Sequence, residues 1–61
     1  MQRLTYDVEE TASALGVSTR HVRRAIWEGQ LRALRSGRRL LIPADALAEY
    51  VSTLPAAVES R

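Results

Sequence analysis

The sequence predicts a mostly α-helical domain with one small β-hairpin, in the order helix, turn, helix, hairpin, helix. Three observations carry that reading. Two short apolar-periodic stretches are separated only by Gly16-Val17-Ser18. The stretch Leu31–Ile42 then changes to alternation broken by Ser36-Gly37. Pro43 precedes a third apolar-periodic stretch.

The first helix is expected over 8–15. Asp7 offers an N-cap, and Glu10 three residues later completes an Asp-x-x-Glu capping box. Val8, Ala12 and Leu15 then share one face, and Gly16 supplies the stop. Ahead of it, Leu4 and Tyr6 are expected to pack against the body. Ser18 caps a second helix over about 19–28, closed by Gly29. Val22, Ala25 and Ile26 form its apolar face, and Arg20, Arg23, Arg24 and Trp27 fall opposite. Two short helices joined by so tight a turn make a helix-turn-helix. In the hairpin, Ser36-Gly37 reads as the two-residue turn. Pro43 suits the first turn of the third helix, over about 44–53, and Asp45 complements its N-terminal dipole. The domain is expected over 1–54, with a flexible tail over 55–61. The expected core is Val8, Ala12, Leu15, Val17, Val22, Ile26, Leu31, Leu40, Ile42, Leu47, Tyr50 and Val51.

Charge is sorted along the chain. All nine basic residues are Arg, and seven of them lie between Arg20 and Arg39 with a single acid, Glu28. That stretch carries +6, while 1–17 and 40–61 each carry −2. The net +2 therefore conceals a basic block whose natural partner is a polyanion. Arginine suits planar bidentate contacts to phosphate and guanine. With no Cys and one His, neither a disulfide nor a metal site is expected, and no cofactor is implied. The chain offers no nucleophile–base pair and no phosphate-cradling Gly loop, so an enzyme is not expected. No apolar run approaches the roughly 18 residues that span a membrane. The expected setting is a soluble protein of the bacterial cytoplasm, on the nucleoid and away from membranes.

Taken together, Glu9-Glu10-Thr11-Ala12, Leu15-Gly16-Val17-Ser18, Val22-Arg23-Arg24-Ala25-Ile26, Glu28-Gly29-Gln30-Leu31, Gly37-Arg38-Arg39 and Ile42-Pro43 with Leu47 resemble the excisionase family (recombination directionality factors). Its domain is a MerR-like winged helix-turn-helix. The resemblance covers about Leu4 to Leu54. It implies that the second helix enters the major groove of double-stranded DNA and that the hairpin wing reaches the minor groove. The matching positions are Ser18, Thr19, Arg20, Arg23 and Arg24 on the helix and Arg35, Gly37, Arg38 and Arg39 at the wing. The resemblance also implies head-to-tail self-association on DNA, DNA bending, and a phage integrase as a further partner. Trp27 departs from the family, which more often has a basic or polar residue there, and the Tyr6-Asp7 entry is longer than usual.

Each site residue has a plainer role beside the DNA-binding one. Ser18 is a helix cap in any case, and capping is compatible with phosphate binding. The α-helical arginines could form a solvated face, but like charges without acids among them repel. Arg20 and Arg23 are expected to reach base edges and Arg24 a phosphate. Arg35, Arg38 and Arg39 either keep a hairpin soluble or enter a minor groove. Arg32 is expected to pair with Glu28 or Glu49. His21 is expected at the surface, with a phosphate contact as the alternative. Trp27 is expected to pack beneath the wing or against arginine stems rather than to touch DNA. Leu41 is expected to be partly exposed.

Three functions are compatible with these residues: an excisionase, a small MerR-like transcriptional regulator, and a module whose arginines bind an acidic protein. The short stretch after the third helix leaves no room for a long dimerisation helix, which favours the first over the second. Steep salt dependence on duplex DNA separates both from the third.

Overall fold

In the computed structural model, which describes residues 3–55, the elements run β1 (Thr5–Tyr6), α1 (Val8–Leu15), α2 (Thr19–Trp27), β2 (Leu34–Ser36), β3 (Arg39–Pro43) and α3 (Ala44–Thr53). This is a winged helix-turn-helix, with the sheet order β1-β3-β2. The expected tail over 55–61 lies, beyond Pro55, outside the described residues.

Helix α1 begins where local chemistry puts it. The Glu10 N–H donates to Asp7 Oδ1 at 2.7 Å, and the Asp7 N–H donates to Glu10 Oε1 at 3.0 Å. These reciprocal bonds satisfy two donors that a helix start otherwise leaves unpaired. The helix closes with Gly16 N–H to the Ser13 carbonyl and Val17 N–H to the Ala12 carbonyl. Helix α2 starts with the His21 N–H donating to Ser18 Oγ at 3.1 Å. It ends in the same two-bond pattern, from Gly29 N–H to Ile26 and from Gln30 N–H to Ala25. That pattern needs a left-handed residue, and Gly29 has φ +79°. The reversal delivers Leu31 straight into the core, where it is 1% exposed.

The hairpin turn is displaced by one residue from its expected place. Ser36 pairs with Arg39, so the two turn residues are Gly37 and Arg38 rather than Ser36 and Gly37. Gly37 has φ +62°, and no non-Gly residue has positive φ among the described residues. A positive φ at the first central position alone is the signature of a type II′ turn, whose twist matches the flanking strands. The shift leaves Arg38 at the tip and Arg39 as the first residue of β3.

Strand β1 was not expected. Thr5 pairs with Pro43 and Tyr6 with Ile42, antiparallel, and the Ala44 N–H donates to the Leu4 carbonyl at 2.9 Å. The entry segment thus docks through its backbone. Leu4 itself is 84% exposed, contrary to the expectation that it packs inward, while Tyr6 is half-buried.

The core joins Val8 and Ala12 of α1, Val22 and Ala25 of α2, Leu31, Ile42 of β3 and Tyr50 of α3. Leu15, Val17, Ile26, Leu40 and Leu47 pack around it, as does Ala33. The expectation for Val51 is corrected: it is 47% exposed. The face α3 turns to the sheet is centred on Ala46 and Tyr50, one turn apart, and Val51 lies beyond its edge. Beyond the expected core, Thr11, Ala25 and Ala46 are buried as well. Small side chains at these positions let the short helices approach closely. Among the described residues no helix is long and apolar enough to cross a membrane.

Candidate nucleic-acid interface

The amphipathic register of α2 decides which side chains face outward. Val22, Ala25 and the half-buried Ile26 point to the core, so Arg20, Arg23, Arg24 and Trp27 project from the opposite side. Ser18, Thr19, Arg20, Arg23 and Arg24 are all exposed, as are Arg35, Gly37, Arg38 and Arg39 of the hairpin. The first turn of α2 holds no acid, which leaves the positive end of its dipole unopposed.

The two groups of arginines meet, though not all of them. Arg23 of α2 and Arg35, Arg38 and Arg39 of the hairpin line one open cleft of about 340 Å³, with Leu40 at its base. The opposite wall is the start of α1, with Asp7, Val8 and Glu9. No local sequence pattern places these carboxylates beside the hairpin arginines. They arrive because the sheet and α2 are both packed against α1. Asp7 is already engaged by the Glu10 N–H. Arg20 stands outside the cleft lining. Arg24 turns the other way, toward His21, Glu28 and Gln30.

Two pairings and one side-chain placement differ from expectation. Arg24 is not a free cation: its Nε donates to Glu28 Oε2 at 3.1 Å, an i, i+4 ion pair. Arg32 pairs with neither Glu28 nor Glu49. Its Nη2 lies 3.3 Å from both oxygens of Asp45 on α3, tying the start of the hairpin to the first turn of α3. Among the described residues nothing packs over Trp27. It is 90% exposed, so the expected structural role is overturned. His21 is exposed and Leu41 half-buried, as expected. Among the described residues, Arg20, Arg23, Arg35, Arg38 and Arg39 have no acid within ion-pair distance.

A stripe of exposed arginines along one helix and a second set at a hairpin tip can neutralise a row of phosphates. Chemistry on a substrate would need a different constellation.

Comparison with known proteins agrees with this geometry. The model of a family described as "Helix-turn-helix domain" matches residues 5–54. A curated relative, the excisionase of Mycobacterium phage D29, is 53% identical over 34 residues, covering 56% of this chain and 61% of that protein. The matched segment thus spans less than two thirds of the relative's length. No solved structure matches the chain significantly.

Proposed function

Because the chain belongs to the excisionase-type helix-turn-helix domain family, a DNA-binding and non-enzymatic one, we propose that this protein binds specific duplex sites as an excisionase. In this reading α2 lies in the major groove and the hairpin in the adjacent minor groove. Arg20 and Arg23 read base edges, with Arg24 and the helix start at Ser18 and Thr19 on phosphate. Arg35, Arg38 and Arg39, around Gly37, follow the minor groove. The observation that carries the reading is the cleft in which Arg23 and the three hairpin arginines converge with no ion-pair partner among the described residues.

One domain of this size contacts a limited stretch of DNA, so several copies would bind adjacent sites head-to-tail. Such an open, heterologous contact needs no closed symmetry. The exposed Glu49 of α3 and Glu9 of α1 offer acidic surface to the basic face of the next copy. Asp45 contributes less than its charge suggests, since Arg32 already engages it. The assembled copies would bend attachment-site DNA and bias a phage integrase toward excision.

The test is fluorescence anisotropy on duplexes from the attachment region of the host element, at several salt concentrations, against scrambled DNA. The expected result is preference for attachment DNA, with a steep salt slope that Arg38→Ala with Arg39→Ala reduces by about 2. Binding with equal affinity to scrambled DNA rejects site-specific recognition. Recognition of a promoter site elsewhere, with no attachment-site preference, assigns the protein to transcription instead.

A further inference from the structure

Helix α2 ends on the largest apolar side chain of the protein, and that side chain touches almost nothing. Trp27 is the only tryptophan of the sequence and is 90% exposed, more than any other large hydrophobic residue among those described. It lies seven residues beyond Arg20, directly above it on the helix face opposite Val22 and Ala25, with Arg23 and Arg24 one turn below. Along the axis the indole sits about 10 Å from Arg20, within the length of helix that a major groove accommodates. The core cluster excludes it, and among the described residues its indole makes no hydrogen bond to the protein. Leaving an indole in water forgoes a burial that large aromatic side chains normally obtain, so its exposure on a binding face points to burial on association.

We propose that Trp27 makes an apolar contact to duplex DNA, at the end of the recognition surface that begins with Arg20. The inference rests on the DNA-binding reading above. Charge selects the occupant. The indole stands among Arg20, Arg23 and Arg24, of which Arg24 alone has an acidic partner among the described residues. The acidic surface of a neighbouring copy offers this face isolated carboxylates such as Glu9 and Glu49, whereas a phosphate backbone presents a continuous row of charge to all of its arginines. The contact differs in kind from those of the arginines. They release counterions, whereas the indole buries surface against thymine methyl groups or deoxyribose. It therefore adds affinity that salt does not remove.

The experiment uses a duplex selected by the full chain from a random library and trimmed to a single site. Because Trp27 is the sole tryptophan, its fluorescence reports on that position alone. The expected result is a shifted emission and protection from acrylamide when the duplex is bound. Trp27→Ala is expected to weaken binding about tenfold at every salt concentration, with an unchanged log–log salt slope. Trp27→Phe recovers part of the loss. Arg38→Ala with Arg39→Ala, by contrast, flattens the slope. Replacing thymine by deoxyuracil, site by site, separates the two contacts: a loss that disappears in the Trp27→Ala background assigns a methyl group, and no loss at any position assigns deoxyribose. An indole still open to acrylamide on a bound single-site duplex overturns the proposal while leaving DNA binding intact. So does protection that arises only when a second copy binds a two-site duplex, since it assigns the indole to a contact between copies. Failure to select any duplex overturns the DNA-binding reading itself. The near-complete exposure of Trp27 makes the folded state insensitive to its replacement, and circular dichroism checks this for each variant.

Discussion

The Nε of Arg24 lies 3.1 Å from Oε2 of Glu28, so the one acid in the basic stretch neutralises one arginine of the proposed recognition helix. The pair is exposed at both ends, and exposed i, i+4 pairs contribute only about 0.3–0.5 kcal/mol to folding. Its larger consequence is for binding. Glu28 competes with phosphate for Arg24 and adds negative charge to the face that would meet DNA.

Glu28→Gln is therefore expected to tighten duplex binding at low salt, chiefly on non-specific sequences. If Arg24 then takes up one more phosphate, the log–log salt slope steepens by about 0.9. Anisotropy titrations from low to physiological salt check this. An unchanged slope would show that Glu28 does not decide whether Arg24 meets the backbone.

Thr11 offers a second test, in the core. Its side chain is fully buried, and its hydroxyl has no hydrogen-bond partner among the described residues. Burying an unpaired hydroxyl costs about 1–3 kcal/mol by protein mutational measures. Valine has the same shape and a similar helix propensity. Thr11→Val is expected to raise stability by about 1 kcal/mol in urea unfolding, with an unchanged m-value. A loss of stability would mean that the hydroxyl has a partner after all.

The third concerns acid. The Glu10 carboxyl is held below its ordinary value of 4.5, first by the hydrogen bond from the Arg3 guanidinium and then by that from the Asp7 N–H. A carboxylate whose folded value is depressed contributes stability that is fully present above its unfolded value. That contribution is lost as the pH falls through the folded value. Thermal melts between pH 7 and pH 3 should therefore show a fall below about 4.5 that is smaller in Glu10→Gln. Parallel curves for the two proteins would remove the Arg3–Glu10 pair from the acid response.

Much of the site was legible because it is local. Ser18 as cap, the arginines of α2 opposite Val22 and Ala25, and the arginines flanking Gly37 follow from short-range periodicity and turn chemistry. The turn slipped by one residue because both readings use Gly37, and the pairing of Ser36 with Arg39 is set by the register of β2 against β3. The Arg24–Glu28 pair was also within reach of a local reading, since the two residues are one turn apart. The like-signed run Arg20, Arg23 and Arg24 masks it when charge is summed over the stretch.

The sequence by itself determined the three helices, their caps and the basic block, since each depends on residues within a turn or two of one another. Tertiary structure decided what depends on distant segments. Thr5 and Tyr6 favour extended backbone but form too short a run to mark a strand, and they become β1 because Pro43 and Ile42 offer a free edge. Arg32 meets Asp45 because α3 begins beside the start of the hairpin. Arg23 joins the hairpin arginines because both segments pack against α1. Trp27 stays in the open because the wing folds toward Arg23 and leaves nothing above the last turn of α2. Periodicity tells which side of a helix is buried, but the elements that close over its edges are set by the packing of the whole chain.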